Sequence, residues 1–127
     1  MNCIILNNEP ISAFIQESLL HRTKLLSFCG KYDCIDTFFK KVNQPSTDID
    51  LVILSNEMYL YILSEKKYCD SFLFSTLKLK YLVLFDKYAV LEKDKPNNFK
   101  NVHFYNAPIC VEDIPTIVNQ LKGQVVA

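Results

Sequence analysis

Short apolar runs, set apart by longer stretches of helical periodicity, constrain this chain more than any other feature. Cys3-Ile4-Ile5-Leu6, Leu51-Val52-Ile53-Leu54 and Tyr81-Leu82-Val83-Leu84-Phe85 are apolar at every position. A strand with one wet face alternates polar and apolar residues, whereas an unbroken apolar run suits a strand covered on both sides. Alternation of such runs with helical segments is the signature of βαβ units and a parallel sheet.

Five strands are predicted: Asn2 to Leu6, Leu25 to Cys29 with Gly30 as its stop, Leu51 to Leu54, Tyr81 to Phe85, and Val102 to Tyr105. The first helix starts at Pro10, a residue suited to a first turn. Its apolar stripe is Ile11, Phe14, Ile15, Ser18 and Leu19, expected to face the sheet. A second helix, capped by Asp33, carries Ile35, Phe38, Phe39 and Val42 on its inner face. The segment from Met58 to Thr76 reads as mostly helical, and a short charged helix is expected between Tyr88 and Lys95. The last helix runs from about Val111 to Lys122, with Ile114, Ile117, Val118 and Leu121 inward and Gly123 ending it. Right-handed crossovers leave few topologies for such a chain. The flavodoxin-like order 2-1-3-4-5 is the commonest at this size, giving a doubly wound α/β/α sandwich of three layers.

The 127 residues fit one domain, 1–127, able to bury roughly two-thirds of its unfolded surface. Half the residues are hydrophobic and formal net charge is zero, which argues against strong nonspecific binding to nucleic acid or anionic membrane. No apolar stretch approaches the ~20 residues that span a bilayer, and no signal-peptide pattern opens the sequence. Five cysteines, an odd number without CxxC spacing, read as free thiols. A cytoplasmic location is expected. Only two glycines occur, so a Gly-rich phosphate loop is absent.

In an open α/β sheet, ligands and chemistry gather at the carboxyl ends of the strands. Those ends read Asn7-Asn8-Glu9-Pro10, Ser55-Asn56-Glu57, Asp86, and Asn106-Ala107-Pro108. Taken alone, Asn-Asn after a strand is ordinary turn chemistry, and Ser55 is suited to cap the following helix. A Ser55–His103–Asp86 triad is disfavoured, because His103 precedes its strand's end and no Gly-flanked elbow surrounds Ser55. Neither His21 nor His103 has a partner at metal-ligand spacing. Glu9, Glu57 and Asp86 leave at most a weak cation site.

The order of these junctions resembles the receiver (CheY-like) domain of bacterial two-component response regulators, closest to receivers that precede LytTR-type DNA-binding domains. Such receivers open with an apolar strand and Asp-Asp-Glu-Pro; here the run is Ile4-Ile5-Leu6-Asn7-Asn8-Glu9-Pro10. Their phosphorylated strand is similar to Asp48-Ile49-Asp50-Leu51-Val52-Ile53-Leu54 but ends in Asp, where this chain has Ser55. Thr or Ser ends their fourth strand, where Asp86 stands, and Lys-Pro ends their fifth, where Ala107-Pro108 stands. The likeness implies the 2-1-3-4-5 order and a phosphorylation site lost at Asn7, Asn8, Ser55, Asp86 and Ala107.

An aspartyl acceptor needs Mg²⁺, held by carboxylates, and donors for the phosphoryl oxygens. Asn7 and Asn8 are neutral, Ser55 lacks a base, Asp86 repels the incoming group, and Ala107 removes the cation. The expectation is a pseudo-receiver: no enzymatic activity, no cofactor, Mg²⁺ binding lost, and signalling through a protein partner. The resemblance places that partner on a face containing Tyr88, Phe104, Tyr105, Glu112 and Asp113, with a homodimer through the same face as a further expectation. Two other readings stay open. One is the receiver half of a transcription regulator whose DNA-binding domain lies elsewhere or is lost. The other is a sensor of a small polar ligand in the emptied strand-end pocket.

Overall fold

The structure, a computed structural model, describes residues 1–45, 47–86 and 101–123, with the Asp86 side chain excepted. Five parallel strands form one sheet in the order β2-β1-β3-β4-β5. They are β1 (Asn2–Leu6), β2 (Ser27–Tyr32), β3 (Leu51–Ser55), β4 (Lys80–Asp86) and β5 (Val102–Ala107). The helices are α1 (Pro10–Leu20), α2 (Ile35–Val42), α3 (Asn56–Ser64), α4 (Lys66–Ser75) and α5 (Ile114–Leu121), the last entered through a 3-10 turn at Val111–Asp113. This is the flavodoxin-like, CheY-like order read from the sequence. No described helix is long and apolar enough to cross a membrane.

The continuous apolar runs divide between two cores because successive strand side chains point to opposite faces. Ile4, Leu6, Val52, Leu54, Tyr81 and Val83 meet Phe38, Phe39, Met58, Tyr59, Ile62 and Phe72 from α2, α3 and α4. Cys3, Ile5, Leu51, Ile53, Leu82 and Leu84 meet Leu19 and Leu20 of α1 and Ile114, Ile117, Val118 and Leu121 of α5. Burial on both sides explains why those runs carry no polar alternation. Burial also drives the Cys3 thiol up to about 12, so it behaves as a small hydrophobe.

Four expectations are corrected or refined. β2 spans Ser27–Tyr32, not Leu25 to Cys29, and Gly30 lies inside it. The pairing steps from Cys3↔Phe28 to Ile4↔Gly30, so Cys29 is an extra residue in a bulge. Gly30 takes φ +156, a backbone conformation that L side chains rarely adopt, while a Cβ there would meet nothing nearer than 3.8 Å. The glycine therefore serves the bulge rather than a stop. Cys34, not Asp33, is the N-cap residue of α2, and it makes no side-chain cap bond. The segment after β3 is two helices, broken at Glu65 (φ −108, ψ 118). The break lets Met58, Tyr59 and Ile62 of one piece and Phe72 of the other all reach the same core.

The fourth correction concerns α1. Its buried side chains are Ala13, Gln16, Leu19 and Leu20, while Ile11, Phe14 and Ile15 are 70%, 63% and 59% exposed. The cause is polar. The buried Asn7 donates its Nδ2 to Ser12 Oγ at 3.0 Å and Gln16 Oε1 at 3.5 Å, fastening the Ser12–Gln16 edge of the helix to the end of β1. The aliphatic stripe is consequently turned outward. The expected helix from Tyr88 to Lys95 lies outside the described residues.

Candidate functional site

Register places the strand ends in two steps. Leu6 pairs with Leu54, so Asn7 and Ser55 follow at one level; Ser55 pairs with Leu84, and Leu84 with Tyr105. Asp86 pairs with Ala107 two residues further along. Asn7, Asn8 and Ser55 share one cleft of about 290 Å³, completed by Glu9, Ser12, Asn56, Glu57 and Leu84. Ala107 opens instead on a neighbouring groove of about 310 Å³ beside Pro108, Ile109 and α1. Three of the five positions are thus gathered in one cleft, and Ala107 is not among its lining residues.

The polar groups of this cleft are occupied by the backbone around them. Asn7 Oδ1 accepts the Glu9 N–H at 2.9 Å, its Nδ2 is held by Ser12 and Gln16, and its own N–H donates to the Tyr32 carbonyl at 2.9 Å. Glu9 caps α1, its carboxylate accepting from Ile11 N–H at 3.3 Å and Ser12 N–H at 2.6 Å. Ser55 caps α3 by accepting the Met58 N–H at 3.3 Å. Asn8 is exposed. Asn56 Oδ1 is buried with no hydrogen-bond partner among the described residues. Among the described side chains, the carboxylates lining the cleft are Glu9 and Glu57, and no group of three or more His, Cys, Asp or Glu residues suited to a metal occurs among the described residues.

His103 pairs with Leu82, two residues below the Ser55–Leu84–Tyr105 level, or roughly 7 Å along the strand. That offset separates it from the Ser55 hydroxyl. Burial first and the neighbouring Lys80 second push the His103 imidazole below its ordinary range.

On the side expected to meet a partner, Phe104 is half-buried and packs edge-on against Tyr59 at 5.6 Å and Phe85 at 6.4 Å. Tyr105 donates its hydroxyl to Asp113 Oδ1 at 3.2 Å, and Asp113 Oδ2 accepts the Cys110 N–H at 2.8 Å. Partial burial first, then Asp113, raises the Tyr105 phenol above its usual value. Glu112 is exposed, and Tyr88 lies outside the described residues. The sequence reading passed over the outward row Ile11, Phe14 and Ile15 because it assigned that row to the core. The signal that places it outside is Asn7 followed by Ser12 and Gln16, a polar set at i, i+5 and i+9.

No protein-family model and no curated protein matches the chain. Solved structures do. A response regulator receiver protein from Dyadobacter fermentans DSM 18053 superposes with a TM-score of 0.71 at 12% identity, covering 96% of this chain and 98% of that one. A response regulator receiver protein from Burkholderia phymatum gives 0.70 at 12% identity, with 96% and 94% covered. The chain therefore has the receiver fold over nearly its whole length.

Proposed function

We propose that this chain is a receiver-fold signalling module that acts by binding a protein partner and is not switched by phosphorylation. The observation that carries the reading is the local use of the strand-end groups. Asn7 spends its amide on Glu9, Ser12 and Gln16, Glu9 spends its carboxylate on two backbone N–H groups, and Ser55 caps α3. Mg²⁺ binds octahedral oxygen sets and loses its water reluctantly. A neutral amide and a capping carboxylate do not suit it, and Ala107 offers no cation for phosphoryl oxygens. In this reading the partner lies against β5 and the start of α5, where Glu112 is exposed next to Asp113, the acceptor of the Tyr105 hydroxyl. The module works in the cytoplasm, where its five free thiols stay reduced.

The test is treatment with acetyl phosphate, and separately with beryllofluoride, each with Mg²⁺. Intact mass and amide spectra are expected to stay unchanged. A stoichiometric phosphate adduct, or saturable shifts centred on Ser55, overturns the reading. A second reading, a small polar ligand in the strand-end cleft, is favoured by the unpartnered Asn56 Oδ1 at its wall. Thermal-shift screening with neutral polar metabolites, followed by Asn56→Ala, tests it; a hit abolished by Asn56→Ala supports it.

A further inference from the structure

The row that α1 turns outward is a surface with a shape and a charge pattern. Ile11, Phe14 and Ile15 lie at i, i+3 and i+4, neighbours on one helical face, and each is more than half exposed. A contiguous apolar patch of this kind commonly marks an interaction site. A groove of about 400 Å³ runs between Phe14 and Ile15 of this row and the segment entering α5, where Ile109 and Val111 extend the apolar floor, and Ile11 lines the adjoining groove beside Ile109. Arg22, just beyond the C-terminal end of α1, and Glu112, at the start of the α5 entry, both border that groove. Neither has an ion-pair partner among the described residues.

An apolar centre with an acid toward one end and a base toward the other complements itself under a two-fold rotation. In such an isologous contact residue i meets j and j meets i. We propose that α1 of one copy lies antiparallel in this groove of a second copy, burying Ile11, Phe14 and Ile15 of both and pairing each Arg22 with Glu112 of the other. Antiparallel alignment also sets the positive N-terminal end of each helix against the negative C-terminal end of its neighbour. Self-association thus uses α1 and the segment entering α5, sharing Glu112 with the partner face proposed above and leaving Phe104 and Tyr105 of β5 outside the groove. The pairing does not rest on the absence of phosphorylation, so the two tests succeed or fail separately.

Sedimentation velocity of the full chain from micromolar to millimolar concentration tests it. The parent is expected to show a monomer–dimer equilibrium, and Phe14→Glu is expected to weaken it by at least about tenfold. Arg22→Glu and Glu112→Arg should each weaken it, while the two reversals combined in one chain restore it. Phe14, Arg22 and Glu112 are all surface positions, so circular dichroism and a thermal melt are expected to match the parent for each variant. A parent that stays monomeric to millimolar concentration overturns the proposal, and so does a Phe14→Glu protein that dimerises normally. If the double reversal does not regain dimerisation, the antiparallel Arg22–Glu112 pairing is wrong.

Discussion

The two faces of the sheet are built differently. On one, α2, α3 and α4 close over an aromatic cluster in which Phe72 lies 4.6 Å from Tyr81 and 5.9 Å from Tyr59, ring centre to centre. On the other, α1 and α5 cover an aliphatic core, and α1 presents its largest apolar side chains to solvent. Apolar residues on a helix are therefore not one class here. Phe38 and Phe39 of α2, Phe72 of α4 and Leu19 and Leu20 of α1 hold the fold together, whereas Ile11, Phe14 and Ile15 of α1 contribute surface. The contrast arises because α1 is oriented by hydrogen bonds from Asn7, while α2 is oriented by burial of Ile35, Phe38, Phe39 and Val42.

The largest test of this contrast uses one substitution on each face. Phe72 is fully buried, and Phe72→Ala is expected to destabilise the fold by about 3–5 kcal/mol, the usual range for an emptied aromatic site. Phe14→Ala, at a protein concentration low enough to keep the chain monomeric, should stay within about 0.5 kcal/mol of the parent. Urea denaturation followed by circular dichroism measures both. Comparable losses would erase the distinction between the faces.

Next comes the bond set that orients α1. Asn7→Ala removes three side-chain hydrogen bonds at a position 4% exposed and is expected to cost about 1–3 kcal/mol. Ser55→Ala, which removes one cap bond, should cost about 1 kcal/mol. If Asn7→Ala proves neutral, the orientation of α1 must come from packing instead.

This same tie marks where the sequence stops being readable. β1, β3 and β4 are legible because an unbroken apolar run has one good explanation, and α2 and α5 because a single stripe on each agrees with burial. On α1 two stripes compete, and Ile11-Phe14-Ile15 is the more hydrophobic one. Choosing correctly requires knowing that Asn7 ends a strand beside Ser12 and Gln16, which is a tertiary fact. Gly30 punctuates the chain whether it ends a strand or seats a bulge, and the break at Glu65 carries no Gly or Pro to announce it. At the candidate site, capping by Glu9 and Ser55 follows from local turn chemistry. The separation of Ala107 from the Asn7–Ser55 cleft emerges only from the arrangement of β5 and α1.

A smaller effect separates two tyrosines within the aromatic face. Ser75 Oγ donates to the Phe72 carbonyl at 2.6 Å, so Tyr81 must donate its hydroxyl to Ser75, 2.5 Å away. Burial pushes the Tyr81 phenol far up. Tyr59 is equally buried, its phenol pushed up to about 12, yet its hydroxyl has no partner among the described residues. Tyr81→Phe is expected to cost about 1 kcal/mol, and Tyr59→Phe to be neutral or stabilising by up to about 1 kcal/mol, since an unpaired buried hydroxyl is removed. Melting temperatures that move in the same direction for both would contradict the assigned bonding.

The smallest effect lies on the aliphatic face, where His103 of β5 stands near Lys80. The Lys80 ammonium donates to the Leu121 carbonyl at the end of α5, a favourable place for a cation. Its charge, together with the larger effect of burial, holds His103 below the ordinary 6.5. In the unfolded chain the imidazole therefore takes up a proton at a higher pH than in the folded one. The stabilising contribution is complete above about pH 6.5 and is lost as pH falls through the window down to the folded value, where it levels off. His103→Gln should flatten the pH dependence of the urea midpoint in that window. Lys80→Met should narrow the window without closing it, because burial is the larger cause. Measurements kept above about pH 5 leave Glu17 ionised, since Lys31 and His21 hold its carboxyl below the usual 4.5. A His103→Gln protein with the parent's full pH slope would show that the imidazole titrates alike in both states, and the aliphatic face would then contribute no pH sensitivity through it.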